Sequence, residues 1–267
     1  MTKLHHPNVV MIMGVAMNKR KRQLKVVCEL LEHGSLFGIV HGERWSIGWR
    51  MLLRLALDAV KGCVFLHGRN PPVLHCDVKS PNVLASSDWH GKLGDFGLSN
   101  VAKHASKGGR GGTVRVEDAS PLWASPEALR GEPQTERSDA YSFATVLWEC
   151  LSGKLPFERP LWDVYAAVLG GERPDMSKVR WTDGLQDSEF AARLEALMRD
   201  GWSDDADDYP LTYTYGYRQQ RRTKRTASGY KPEQLVPLVA DQYASAWFVT
   251  TLPQAKNVNV SCVGRTF

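Results

Sequence analysis

An aspartate, a lysine and an asparagine fall within six residues in VLHCDVKSPNVL, residues 73–84: Asp77, Lys79 and Asn82. A fourth polar group, Asp95, follows in GKLGDFGLSN. Moving a phosphoryl group from ATP to a hydroxyl needs such a set: a carboxylate near the acceptor proton, a cation for the moving phosphate, and hard oxygen ligands for metal ions. Asp77 can orient a hydroxyl and accept its proton, and Lys79 can reach the transferring phosphate. Asn82 can offer an amide oxygen to a metal, and Asp95 a carboxylate, with Gly97 letting the backbone turn sharply behind it. A His-x-Asp triplet or a lone Asp-Phe-Gly is commonplace. The four groups in this order are what carry the reading.

Such loops have to be held by regular elements. Short apolar runs at 9–13 and 24–28 read as buried strands joined by the basic turn NKRKRQ. EHGSL, residues 32–36, is a glycine turn into a short helix. From 46 to 67, Trp49, Leu52, Leu53, Ala56, Leu57, Val60 and Val64 recur at helical spacing and predict a long helix with one buried face. Residues 105–120 are rich in glycine and serine and read as a long functional loop. A largely apolar helix is expected over 138–152, and Phe190, Leu194, Leu197 and Met198 mark a third.

The composition bounds what surrounds this site. The chain has 267 residues, 43% hydrophobic and 24% charged, with a net charge of +5. Such a mild charge reads as a solvated surface, and the basic turn as a hairpin loop, so no nucleic-acid partner is expected. The five cysteines are odd in number and form no CxxC pair, which argues against a disulfide framework or a zinc site and for a reducing compartment, the cytoplasm. No apolar run is long enough to span a bilayer, and the N-terminus lacks a signal-peptide layout.

The motifs resemble those of protein kinases. HCDVKSPN resembles the catalytic loop His-Arg-Asp-x-x-x-x-Asn at every signature position except Cys76. DFG, from Asp95, resembles the metal-binding motif, and SPE, from Ser125 to Glu127, the Ala-Pro-Glu that closes the activation segment. SDAYSFATVLWECLSGKLPF resembles the large helix beneath the catalytic loop, with Asp139 in place of the carboxylate that braces it. LHHPNVVMIMG resembles the end of helix C and the next strand. The resemblance runs from about Leu4 to about Asp205 and is strongest to the tyrosine-kinase-like group, near Raf-type and plant or algal MAP3K-like kinases.

The resemblance implies an α+β protein-kinase-like fold, with a mostly helical C-lobe and an incomplete N-lobe sheet. It implies ATP and Mg2+ as cofactors and a protein carrying a Ser or Thr acceptor as substrate. Asp77, Lys79 and Asn82 would be catalytic, and Asn82 and Asp95 metal ligands. Lys79 in DVKSPN and Ser120, the hydroxyl linking the activation segment to Asp77 and Lys79, favour Ser/Thr acceptors. By the same resemblance Cys28 is the gatekeeper. Glu29 to Leu31 form the hinge, the Glu29 carbonyl and the Leu31 amide pairing with adenine, and Leu84 lies under the purine. Ile12, His75 and Phe96 match the apolar spine that joins the lobes.

Departures from the family pattern set the remaining expectations. Within these residues no glycine-rich phosphate loop, strand lysine or partner glutamate precedes Leu4; KGGRGG follows DFG and belongs to the activation segment. Tyr209 stands where the family has an arginine that pairs with the glutamate of Ala-Pro-Glu, here Glu127. The chain divides into an N-lobe remnant and hinge at 1–31, a C-lobe at 32–210 and a divergent, poorly ordered tail at 211–267. An active Ser/Thr kinase acting in signal transduction is the first reading. A pseudokinase acting as a docking module is the alternative, and a gene-model fragment with a run-on tail would account for both ends.

Overall fold

The structure, a computed structural model, describes residues 4–18, 23–95, 100–101, 120–181 and 189–203. Phe96, Gly97, residues 105–119 of the glycine- and serine-rich loop, Tyr209 and the tail after 210 lie outside them, as does the basic turn at 19–22.

Strands β1 (Ile12–Asn18) and β2 (Gln23–Cys28) form an antiparallel hairpin, Val15 opposite Val26, with an irregularity between Ile12 and Gly14. Alternation places Met13, Val15 and Met17 on one face, and all three are exposed by 60% or more, a run of apolar surface that single scattered residues would not make. Strand β3 (Gly34–Ser35) pairs with β5 (Val83–Ala85), which pairs with β6 (Gly91–Leu93). Strand β4 (Val73–Leu74) pairs with β7 (Asn100–Val101). These short ladders flank the catalytic-loop segment and fix both its ends.

The helices are α1 (Leu36–His41), α2 (Trp49–His67), α3 (Pro126–Leu129), α4 (Glu136–Ser152), α5 (Leu161–Leu169) and α6 (Glu189–Gly201). Local chemistry sets their ends. The Ser35 hydroxyl accepts from the Gly38 N–H at the start of α1, and Ser125 does the same for Ala128 at α3. Thr135 and Ser138 cap α4 reciprocally, and Gly153 ends it in a left-handed turn at φ +67°. Every residue of α4 from Ser138 to Ser152 is buried, with Trp148 wholly so. This helix is the spine of the core, and α2 and α6 pack on it.

The observed elements shift three expectations. The first strand runs over Ile12–Asn18, not 9–13. Val9 and Val10 are buried for another reason: Val10 donates to the Leu93 carbonyl at 2.9 Å, and Leu93 to the Asn8 carbonyl at 2.9 Å, so this segment lies along β6. The long helix begins at Trp49 rather than 46. Leu52, Leu53 and Ala56 are buried as expected, but Leu55, Ala59, Cys63 and Leu66 are buried as well, while Trp49, Leu57 and Val60 are only partly buried, because α2 is covered by β6 as well as α4. Helix α5, with Val164 and Val168 inward, was not delimited by periodicity.

Asn8 approaches α2 closely because residue 62 has no side chain. A Cβ there would stand 2.4 Å from the Asn8 carbonyl oxygen. Gly62→Ala should therefore lower stability by about 1–3 kcal/mol despite alanine's better helix propensity. A denaturant midpoint equal to or above the parent's would contradict this packing.

Candidate active site

The site is assembled on one buried carboxylate. Asp139, in the first turn of α4, is 2% exposed. Its Oδ2 accepts from the His75 N–H at 2.8 Å and lies 2.8 Å from His67 Nε2; its Oδ1 accepts from the Cys76 N–H at 2.8 Å. Burial works against this anion, but the hydrogen bond and charge of His67, with His75 adding to them, hold its pKa below the ordinary value. Two successive backbone N–H groups converge on it because Cys76 adopts φ +64°, a conformation non-glycine residues seldom take. The bracing carboxylate expected at Asp139 is where the motif placed it.

His75 is fully buried beneath the loop. Its Nδ1 accepts from the Asp77 N–H at 3.3 Å and its Nε2 faces the Gly94 carbonyl at 2.9 Å, which assigns the proton to Nε2. A single ring thus links the loop to the strand leading into Asp95.

The turn Ser80–Asn82 folds the chain back on Asp77. Asn82 Nδ2 donates to the Asp77 carbonyl at 2.8 Å and to Asp77 Oδ2 at 2.9 Å, which commits the amide nitrogen and turns the amide oxygen away from Asp77. Lys79 Nζ is 2.7 Å from Asp77 Oδ2 and donates to Ser120 Oγ at 2.6 Å. The Gly94 N–H donates to the Asn82 carbonyl at 2.8 Å, bringing the exposed Asp95, at φ +58°, alongside. Ser120, Lys79, Asp77 and Asn82 are therefore linked in that order by successive side-chain bonds, with Asp95 joined to them through the backbone.

Among the described residues no group of three or more His, Cys, Asp or Glu side chains is placed to hold a metal alone. One carboxylate and one amide oxygen instead fit magnesium, which usually keeps waters and substrate phosphates in its shell.

The residues expected on the nucleotide side, Glu29, Leu31 and Leu84, lie in the segment after β2 and on β5. Leu31 is 8% exposed and Leu84 half-buried, with Leu84 Cδ1 3.4 Å from where a Cβ on Gly94 would stand. Glu29 spends its side chain internally: it accepts from the Met11 N–H at 2.8 Å and from Lys92 Nζ at 2.7 Å, while its own N–H donates to the Met11 carbonyl at 3.0 Å. This bracing by Lys92 was invisible in the sequence, because the two residues are 63 apart and no local pattern ties them together. Glu127, whose family partner arginine is replaced by Tyr209, accepts from Ser138 Oγ at 2.5 Å.

Burial raises the Cys28 thiol pKa, and the charges of Glu29 and Asp95 add to it. Thiolate is the reactive form. Asp95→Asn should therefore speed iodoacetamide alkylation of Cys28 at pH 8, read by peptide mass spectrometry. An unchanged rate would separate Asp95 from the gatekeeper position.

A family model described as protein tyrosine and serine/threonine kinase matches residues 1–211. The probable serine/threonine-protein kinase drkB of Dictyostelium discoideum is 36% identical over 180 residues, 67% of this chain and 25% of that protein. From Arabidopsis thaliana, the probable serine/threonine-protein kinase SIS8 is 40% identical over 213 residues, 74% of this chain and 20% of its own length. The serine/threonine-protein kinase CTR1 is 40% identical over 162 residues, 59% of this chain and 18% of its own. The chain thus spans about a quarter or less of the curated relatives just named. The α+β architecture, the motif order and the family match agree, and the chain belongs to the protein tyrosine and serine/threonine kinase family.

Proposed function

We propose that the protein transfers the γ-phosphate of ATP to serine or threonine hydroxyls of a protein substrate in signal transduction. The observation that carries this reading is the contact of Lys79 with both Asp77 and Ser120. A hydroxyl brought to Asp77 is oriented by its carboxylate and gives up its proton there, while Lys79, held between Asp77 and Ser120, faces the negative charge of the group in transit. Asn82 and Asp95 would hold magnesium, which supplies charge neutralisation on the phosphates. The backbone after β2, between Glu29 and Leu31, would take the adenine edge, over Leu84. The Ser/Thr kinases among the relatives support the choice of acceptor. A docking module without chemistry would leave the joined Asp77, Lys79 and Ser120 without a role.

The proposed division is N-lobe and hinge at 1–31, C-lobe at 32–210 and a separate tail at 211–267. No helix among the described residues is long and apolar enough to cross a membrane. The odd number of cysteines and the lack of a CxxC pair support residence in a reducing compartment, the cytoplasm.

Positioning is most of this catalysis, and a phosphate loop and strand lysine supply much of it. The test compares residues 1–267 alone with the same residues joined behind the glycine-rich loop, strand lysine and helix of a relative such as SIS8. Alone, they should bind magnesium-ATP weakly and label a generic basic protein negligibly. Joined, they should label it at a rate at least about 100-fold higher, in line with what positioning contributes. Equal, negligible rates in both forms would defeat the kinase reading.

A further inference from the structure

Glu149, on α4, is fully buried, and both of its carboxylate oxygens are engaged. Oε1 accepts from Ser80 Oγ at 2.7 Å and lies 2.7 Å from His41 Nε2, while Oε2 accepts from Trp123 Nε1 at 2.8 Å. The partners come from the catalytic loop, from the last turn of α1 and from the segment leading into α3. Together the bonds close a ring. Lys79 and Ser80 are neighbours in the chain; Lys79 donates to Ser120 Oγ, and the Trp123 N–H donates to the Ser120 carbonyl at 3.1 Å. Trp123 then returns to Glu149, and Glu149 to Ser80. Phe37 packs beside it, its ring centroid 4.7 Å from that of His41 and 6.5 Å from that of Trp123.

A wholly buried carboxylate is tolerated only when its lone pairs are met and its charge is offset. Ser80 and Trp123 supply neutral donors. His41 Nε2, 2.7 Å from Oε1, supplies the third contact. Without it a lone pair of the buried carboxylate is left unmet, and the side chain shifts to recover a partner, drawing an oxygen away from Ser80 or Trp123. Because Trp123 also holds the Ser120 carbonyl, that loosening passes to the hydroxyl on which Lys79 rests.

We propose that His41 is a positioning residue for the phosphoacceptor side of the site, acting through Glu149 on Trp123 and Ser80. The proposal rests on the kinase reading for what Lys79 and Ser120 do, but the coupling itself is testable without nucleotide. The structure supplies internal controls: the indole N–H of Trp148 donates to the Asp175 carbonyl at 3.0 Å, and that of Trp202 to Thr145 Oγ1 at 3.0 Å.

Indole and backbone N–H exchange is measured by NMR on residues 1–267 with His41→Asn, whose side chain is too short to reach Glu149, and with His41→Gln, which keeps a donor near the Nε2 position. His41 is 19% exposed at a helix end, so both polar variants are compatible with folding. In His41→Asn the Trp123 indole and backbone N–H groups should exchange at least tenfold faster, with Trp148 and Trp202 within twofold of the parent. In His41→Gln all of them should return to within threefold of the parent. Acceleration of all three indoles together, loss of folding in His41→Asn, or no change at Trp123 would each overturn the proposal. If this pattern holds while the joined protein transfers no phosphate, the coupling stands and the kinase reading alone fails.

Discussion

In the protein joined to a relative's phosphate-binding lobe, Asp77→Asn is expected to lower turnover by about 10²–10⁴, the usual contribution of a positioned general base, with little change in magnesium-ATP affinity. The asparagine fits the same space, but its amide cannot take the acceptor's proton, and it loses the charge that holds Lys79 Nζ at 2.7 Å. Asp95→Asn should behave differently. It would remove a carboxylate from the proposed magnesium site, so nucleotide binding should weaken along with turnover. The two variants thus separate by a split between kcat and the KM for ATP. An Asp77→Asn enzyme within a few-fold of the parent would remove Asp77 from the chemistry.

Asp139→Asn should be the most damaging substitution for the fold around the site. One oxygen of Asp139 accepts from the Cys76 N–H, and the other accepts from the His75 N–H and faces His67. An amide has one oxygen, so in either orientation its NH2 meets a backbone N–H. Breaking a buried, hydrogen-bonded charged group of this kind costs about 3–5 kcal/mol. Urea unfolding would show it as a lower midpoint. The pH dependence gives a second readout. The folded pKa of Asp139 is depressed, so its contribution is fully present above its unfolded value near 3.8 and is lost as pH falls through the lower folded value. The parent should lose stability in that acid window, and Asp139→Asn should lack this component. Parallel stability curves for the two proteins through that window would contradict the account of the buried carboxylate.

The part of the site read most directly from the sequence is the part that is contiguous. Asp77, Lys79 and Asn82 sit within six residues, and one tight turn, Ser80–Asn82, suffices to bring them together. Ser120 and Asp139 were reached only through motif resemblance, since no local pattern ties them to residue 77. Glu149 and Lys92 were missed. Each serves a partner far away in sequence, and a buried Glu within WECLS looks, one-dimensionally, like an interruption of an apolar helix. Periodicity found α2 and part of its buried surface, Leu52, Leu53 and Ala56, but not Leu55, Ala59, Cys63 and Leu66, because a helix covered from two sides does not display one stripe. It also placed the first strand on Val9 and Val10, whose burial comes from packing along β6 rather than from the hairpin.

The central claim is transfer of phosphate to a serine or threonine hydroxyl by the site around Asp77. Its most direct test is to incubate the joined protein with γ-labelled ATP, magnesium and a generic basic protein, then hydrolyse the product and identify the labelled amino acid, with Asp77→Asn run in parallel. The account predicts phosphoserine or phosphothreonine from the parent and almost none from the variant. Label found on tyrosine alone, or equal labelling by Asp77→Asn, would contradict it.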